Sequence, residues 1–387
     1  MLQSFFYVAQ GKIHLKEGDK PARLIESKFG QSLVDRASQI QKRNAWKTEG
    51  TGARFMSGRM LWAGQLDQDN GIPIVINAIS RCNGQGEVLY SLSTSEIGGV
   101  FSITRNGAER RLLHTADFRV GHLSANPSDH KIACVVRTKG GSHLAVMQGD
   151  GRELTDVTQG DSMDVCPNWV PGSTNELVFQ TSDIGRDAAG KPAGSSPARV
   201  EKLNLETGDI VTLLGDETHD YVDPKMDAAG NLYCIRKPYV SPRASFDPLR
   251  AALDLVLLPF RLLFALFQFV NFFTMRYTGN TLVSSGSARQ RQMDLRHMMI
   301  MDNLAQAMRA PELFVGPNKD WIAPRSWSLV RKTNAGEIEV LEKGVFTFDL
   351  AVNGIVLFTD GKRVVQRNKD GAKKELLRDQ FISQVLV

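Results

Sequence analysis

The sequence predicts an all-β fold in which a unit of about four strands repeats along the chain. Short runs rich in β-forming residues recur between turn signals, and glycine is frequent, with 34 residues. Two successive units can be laid over one another, so that Pro167 coincides with Pro224 and Trp169 with Met226. Once a two-residue gap is allowed in the turn, Leu177 coincides with a leucine of the next unit.

One unit can be read in detail at Leu123–Thr158. Strands are predicted near Lys131–Thr138 and His143–Gln148. Gly149, Asp150 and Gly151 form a hairpin-turn signal, after which Glu153–Val157 is the last strand. The period and the strand number are typical of a β-propeller blade.

The first strand of each unit can be traced to six runs. These are Gly30–Arg36, Ile72–Asn83, Phe118–Asn126, Asp164–Pro171, Tyr221–Ala228 and Val345–Asn353. The C-terminal strand Phe381–Val387 has no later unit to serve, so we expect it to become the innermost strand of the N-terminal blade and to close the ring. Six starts and one closing strand predict a seven-bladed β-propeller. Six or eight blades stay open, because the unit near 42–65 is the least regular.

Two runs carry a family resemblance. Pro167–Ser182 and His143–Thr158 resemble the repeat of TolB-like propellers, and more generally of WD-repeat-like ones. Blades of that family read roughly Pro-x-Trp-Ser-Pro-Asp-Gly, and this chain has Val170 and Gly172 where the pattern has Ser and Asp. The match is best over Ser124–Asp216. The resemblance implies a propeller fold, and it implies no particular activity.

An insertion interrupts the repeat between the second and third strands of the predicted sixth blade. It divides the chain into propeller residues 1–239, a mainly α-helical, apolar insertion at 240–324, and propeller residues 325–387. Its first predicted helix is the apolar run Pro248–Met275, and a second, methionine-rich helix is predicted at Arg289–Arg309.

The apolar run is predicted to lie against a membrane surface. Its longest stretch without a charge is Leu262–Met275, whereas a membrane span needs roughly 20 apolar residues. The residues predicted to contact lipid are Leu255, Val256, Phe260, Leu262, Leu263, Phe267, Phe269, Phe272 and Phe273. The residues predicted to meet lipid headgroups are Arg243, Arg250 and Arg276. Three arrangements stay open: a helix in the interface plane, a hairpin kinked at Pro259, and a helix buried against protein.

Polar residues gather on the loops that should meet at one mouth of the ring. They are Asp161, Asp164, His219, Asp220 and Asp223, with His122 in the corresponding region of an earlier blade. His219, Asp220 and Asp223 are weak candidates for a metal site, although such side chains more often cap turns. Trp169 is expected to pack between blades.

The composition narrows the function classes. A net charge of +5 and the lack of basic-aromatic interleaving do not favour nucleic acid, and no cofactor is predicted. The four cysteines have no C-x-x-C spacing and should be reduced thiols. The N-terminal residues show no secretory signal, so a cytoplasmic location on the inner face of a membrane is expected. Neither G-x-S-x-G nor a Walker A loop is present in the sequence.

The leading hypothesis is a non-enzymatic propeller scaffold, attached peripherally to a membrane or a membrane complex through the insertion, with an unidentified protein partner. One alternative is a propeller hydrolase or lyase with a cation at the channel mouth. Another is an oligomeric scaffold in which the helices are buried between subunits.

Overall fold

The computed structural model describes residues 4–33, 35–36, 39, 75–82, 86–93, 98–115, 120–137, 141–187, 190, 192–240, 322–351 and 353–387. Both predicted helices of the insertion lie outside the described residues. The irregular unit near 42–65 lies outside them as well.

The described residues form six four-stranded antiparallel sheets and one two-stranded hairpin. The strands in chain order are β1 (Ser4–Ala9), β2 (Lys12–Glu17), β3 (Arg23–Ile25), β4 (Val75–Arg81), β5 (Glu87–Ser93), β6 (Gly98–Thr104), β7 (Glu109–Thr115), β8 (Val120–Ala125), β9 (Ile132–Arg137), β10 (Ser142–Met147), β11 (Thr155–Asp156), β12 (Val165–Trp169), β13 (Glu176–Thr181), β14 (Ile184–Arg186), β15 (Pro192–Ser195), β16 (Arg199–Asn204), β17 (Ile210–Leu214), β18 (His219–Met226), β19 (Leu232–Pro238), β20 (Ser328–Lys332), β21 (Ile338–Lys343), β22 (Thr347–Leu350), β23 (Val356–Thr359), β24 (Arg363–Arg367), β25 (Lys373–Arg378) and β26 (Ile382–Leu386).

Each sheet is one blade of a propeller. Blade 1 has the order β26-β1-β2-β3, and blades 2 and 3 are β4 to β7 and β8 to β11. Blade 4 is β12-β13-β16-β17, with the hairpin β14-β15 between its second and third strands. Blades 5 and 6 are β18 to β21 and β22 to β25. The innermost strands contact one another around the axis in the order β26, β4, β8, β12, β18 and β22. The predicted all-β propeller is confirmed.

The C-terminal strand closes the ring, as predicted. β26 pairs with β1 in antiparallel register, with Phe6 opposite Leu386 and Tyr7 opposite Val385. Ile382 is fully buried in the apolar layer between blades 1 and 6, where Leu357 also lies. The closing strand therefore gives blade 1 both its fourth strand and part of its core.

The prediction of seven blades is wrong, because the first traced start is not a strand. Residues 28–33 are helical. The Ser27 hydroxyl accepts a hydrogen bond from the Gly30 amide at 2.9 Å, as an N-cap residue does, and Glu109 accepts one from the Phe29 amide at 2.9 Å. Phe29 then packs on Phe101, with ring centroids 4.7 Å apart. Five traced starts and one closing strand account for the six blades.

The internal alignment of the repeats is confirmed by the strand register. Trp169 lies opposite Leu177 in blade 4, and Met226 lies opposite Leu232 in blade 5. The unit read at Leu123–Thr158 is blade 3 with its turn at the predicted place. The insertion leaves from β19 and returns to β20, which pair with Arg236 opposite Ser328. It thus joins second and third strands as predicted, but in the fifth blade of six.

Candidate functional site

Five of the six innermost strands contain a β-bulge, and these bulges shape the polar lining of the axis. The bulged positions are Asn77 in β4, Gly121 and His122 in β8, Cys166 and Pro167 in β12, Asp223 and Pro224 in β18, and Ser383 in β26. A bulge places two residues opposite one and re-aims the side chains of the strand. Cys166 and Asp223 take positive φ angles of 55° and 53° to make this turn.

Charged side chains from four inner strands meet along the axis. We call Arg81, His122, Asp223, Lys225 and Asp349 the channel cluster. The Lys225 ammonium lies 3.2 Å from the Asp349 carboxylate, and Arg81 lies 3.5 Å from its other oxygen. The Val387 amide also donates to Asp349, at 2.8 Å. Asp349 therefore connects β18, β4 and the chain beyond the closing strand.

The pair of Lys225 and Asp349 is buried and stays ionised. Burial alone would raise the pKa of Asp349, but Lys225 and Arg81 outweigh it and hold the pKa below its ordinary value. Burial likewise opposes the charge of Lys225, but Asp223 and Asp349 raise its pKa. Lys225 also donates to the Phe348 carbonyl and lies 5.0 Å from the centroid of the Phe348 ring.

His122 is the member of the cluster that has no hydrogen-bond partner among the described residues. Its Nδ1 is buried and has no hydrogen bond. Burial is the main cause that lowers the pKa of its imidazole to about 4. The positive charges of Arg137 and Lys225 act in the same direction, whereas Asp223 acts in the opposite one. At neutral pH the ring is therefore uncharged.

The three weak metal candidates each have a structural partner. The backbone amide of His219 donates to Asp216 at 2.7 Å. Asp220 accepts a hydrogen bond from the Ala198 amide at 2.8 Å, and Asp223 accepts one from the Thr347 hydroxyl at 3.0 Å. Within the described part of the chain, no group of three or more His, Cys, Asp or Glu residues is placed to hold a metal ion.

The other polar loop residues named from the sequence are also engaged. Asp161 accepts a hydrogen bond from Arg186 at 2.5 Å, and Asp164 accepts one from Thr181 at 2.6 Å. The Trp169 indole donates to the Ser124 carbonyl at 3.0 Å, so this residue joins blade 4 to blade 3 as expected. Sequence reasoning thus found His122 and Asp223, but it missed the three other members of the channel cluster.

The two ends of the insertion are hydrogen-bonded to the two blades on either side of blade 5. The Tyr239 hydroxyl donates to the Ser195 carbonyl in blade 4, and its amide donates to the Thr218 carbonyl at 2.9 Å. On the return, the amides of Ile322 and Ala323 both donate to the Asp360 carbonyl of blade 6, at 3.0 and 2.9 Å. We call Tyr239, Ile322 and Ala323 the insertion root.

A buried cation lies directly beside the insertion root. Lys237 is the penultimate residue of β19, and its ammonium lies 5.2 Å from the centroid of the Trp327 ring, which precedes β20. Burial lowers the pKa of Lys237, and the nearby carboxylate of Asp220 partly offsets this. The strands before and after the insertion, β19 and β20, are therefore joined by a side-chain contact as well as by their backbone hydrogen bonds.

The predicted lipid contacts from Leu255 to Phe273, and Arg243, Arg250 and Arg276, lie outside the described residues. Among the residues that the structure does describe, no helix is long and apolar enough to cross a membrane.

No family model matches the chain, and no curated protein matches it. Several solved structures are similar. A chain of a nidogen/laminin complex is 9% identical with a TM-score of 0.51, covering 99% of this chain and 96% of that chain. TolB from Acinetobacter baumannii is 9% identical with a TM-score of 0.48, covering 99% of this chain and 65% of that one. The tricorn protease has the same identity and TM-score, but this chain covers 34% of it. Identities this low concern the fold alone. The sheet order shows the β-propeller fold, which is the fold that the TolB-like resemblance of the repeat implied.

Proposed function

We propose that this chain is a non-enzymatic β-propeller that serves as a binding platform, held on the cytoplasmic face of a membrane or a membrane complex by residues 240–324. The observation that carries the proposal is the insertion root. Tyr239 is fixed on blade 4 and Ile322 on blade 6, so the insertion starts and ends on a braced part of the ring.

The bracing has a simple topological basis. In a propeller with this strand order, the connections from second to third strands all lie on one face. Ser195 belongs to that connection in blade 4, the insertion to that connection in blade 5, and Asp360 to that connection in blade 6. Three neighbouring connections of the same kind are therefore hydrogen-bonded side by side.

The sequence of the insertion supports a membrane as the binding partner. An amphipathic helix binds a membrane through its buried apolar area and through attraction of its cations to anionic lipids. A cation near such a surface contributes about 1 kcal/mol, and Arg243, Arg250 and Arg276 flank the apolar run. The attachment should therefore withstand salt in part and be released by detergent.

Cell fractionation of the intact protein and three variants tests the proposal. In the first variant, a flexible Gly-Ser linker replaces 241–321 and keeps both Tyr239 and Ile322. The second carries Leu263→Asp and Phe267→Asp. The matched control carries Ile210→Asp and Val211→Asp, two apolar residues on the outer edge of blade 4 that are 51% and 53% exposed.

We expect the intact protein and the control to pellet with membranes, and the other two variants to be soluble and folded. A membrane-bound Leu263→Asp and Phe267→Asp variant would refute lipid contact by this helix. If the intact protein itself is soluble, the apolar run is covered by protein, and sedimentation of the intact chain against the linker variant then tests the oligomeric scaffold.

A further inference from the structure

The unpartnered imidazole of His122 indicates which ring nitrogen faces the axis. Its Nδ1 is enclosed and unpaired, and a buried N–H without an acceptor is rarer and costlier than an unpaired acceptor. The neutral ring therefore carries its proton on Nε2. His122 is half-buried and lies on an innermost strand, so the remaining edge presents an N–H donor toward the axis.

Arg137 brings a second donor to the same place. It ends β9 and is exposed, and it makes no ion pair among the described residues. Its Nε lies 3.6 Å from the point where a side chain on Gly121 would place its Cβ. Gly121 is the bulged neighbour of His122, so the Arg137 side chain lies beside this part of the inner strand at ordinary contact distance.

The charges that face His122 favour an anion. Arg137 of β9 and Lys225 of β18 are positive, and Asp223 of β18 is negative. Lys225 is further linked to Asp349 and through it to Arg81. These five groups comprise three cations and two carboxylates, which leaves one positive charge without a counterpart. In blade 4, the carboxylate of Asp164 is buried and accepts a hydrogen bond from Thr181.

We propose that the channel binds a small oxyanion, a carboxylate or a phosphate, between the Nε2 of His122 and the guanidinium of Arg137. Among the described residues neither group has an acceptor, and the guanidinium geometry suits a two-oxygen partner. Lys225 contributes a positive charge that acts on His122, and it does not need to leave Asp349. This site is independent of the insertion, so it stands or fails separately from membrane attachment.

Histidine NMR on the full-length protein tests the site. The chain has seven histidines, and isotope labelling of their Cε1 carbons gives one resonance per ring. Comparison with Arg and His variants assigns these resonances. The probes are inorganic phosphate and acetate, each titrated into protein kept in a buffer without oxyanions. The variants are His122→Gln for assignment, Arg137→Gln and Arg137→Lys for the second donor, and Arg110→Gln as a control on an outer strand.

We expect a saturable shift of the His122 resonance and a rise of its pKa by about one unit, because a bound anion favours the imidazolium. His143, whose Nδ1 is also buried and unpaired, is the internal reference and should not respond. Arg137→Gln should abolish the response, Arg137→Lys should retain part of it, and Arg110→Gln should leave it unchanged. A response to phosphate alone or to acetate alone supports the site and identifies the preferred group.

Two results would overturn the proposal. One is a His122 resonance that neither probe moves. The other is an equal response in the wild type and in both Arg137 variants, which would mean that the anion does not bind between the two proposed donors.

Discussion

Replacing Asp349 with alanine should destabilise the ring by about 3 to 4 kcal/mol. The side chain of Asp349 is 11% exposed and that of Lys225 is 15% exposed, so the buried ammonium would lose the carboxylate that it is bonded to and keep only the nearby charge of Asp223. Breaking a buried pair in this way costs roughly 3–5 kcal/mol. We take about 3 kcal/mol for this loss, because Lys225 keeps the Phe348 carbonyl as an acceptor. The Val387 amide loses its acceptor as well, which adds about 1 kcal/mol.

The assay is urea unfolding followed by tryptophan fluorescence and by circular dichroism. Asp19→Ala, on the exposed turn between β2 and β3, is the matched control and should change stability by less than about 0.5 kcal/mol. The double variant Lys225→Met with Asp349→Ala removes both members of the buried ion pair, so neither is left without the other. Its cost should therefore fall below the sum of the single variants by at least about 1 kcal/mol.

The effect of Asp349 should depend on pH with a definite sign. The folded protein holds the pKa of Asp349 below its ordinary value of about 3.9, so the stabilisation is fully present above that value. It is lost as the pH falls through the folded pKa. The difference between wild type and Asp349→Ala should be constant from neutral pH to about 5 and shrink below about 4. A loss under about 1 kcal/mol at neutral pH, or strict additivity in the double variant, would refute the role assigned to this carboxylate.

Two further predictions test the packing between blades and the state of the cysteines. Gly151→Ala should cost more than Gly107→Ala, because both have positive φ but only at Gly151 would a Cβ meet the Leu112 carbonyl oxygen, at 2.4 Å; equal unfolding midpoints would contradict this contact. Cys134 and Cys234 should react with a thiol reagent only after unfolding, because both are buried and burial raises the pKa of the Cys134 thiol to about 12; rapid labelling of either in the native protein would be the contrary result.

The repeat could be predicted from the sequence because a few residues mark the same place in each blade. Pro167 and Pro224 both occupy bulges, and Trp169 ends its strand as Met226 does. The blade number could not be predicted in the same way, because the run at Gly30 has a glycine followed by a leucine and a valine, as a strand after a turn can have. The run is helical because its N-terminus is capped: Ser27 and the distant Glu109 accept hydrogen bonds from the first amides of the helix. Glu109 contributes from another blade, which local patterns do not reveal.

The channel cluster was predicted only in part for a related reason. Arg81, Lys225 and Asp349 each lie in a short run in which polar and apolar residues alternate, as in any half-exposed strand. The residue types alone therefore do not show whether these side chains face the axis or the outer surface. Which residues face the axis depends on the bulges. One signal was available: a proline inside an inner strand, as at Asp223-Pro224, cannot take part in the ladder and indicates a bulge. Lys225 lies two positions after Asp223, so this signal would have indicated that its side chain faces the axis.

The closing pair of strands has a consequence for how the protein folds. Phe6 pairs with Leu386, so 380 positions separate two neighbours in one sheet. The average cost of closing so long a loop grows only slowly with its length, but the search for such a non-local partner makes folding slow. Until β26 arrives, blade 1 has three strands and β1 exposes an unpaired edge beside an apolar surface. The seam between the first and last strands is thus the last to form during synthesis, and it is the place where a chaperone has the longest time to act.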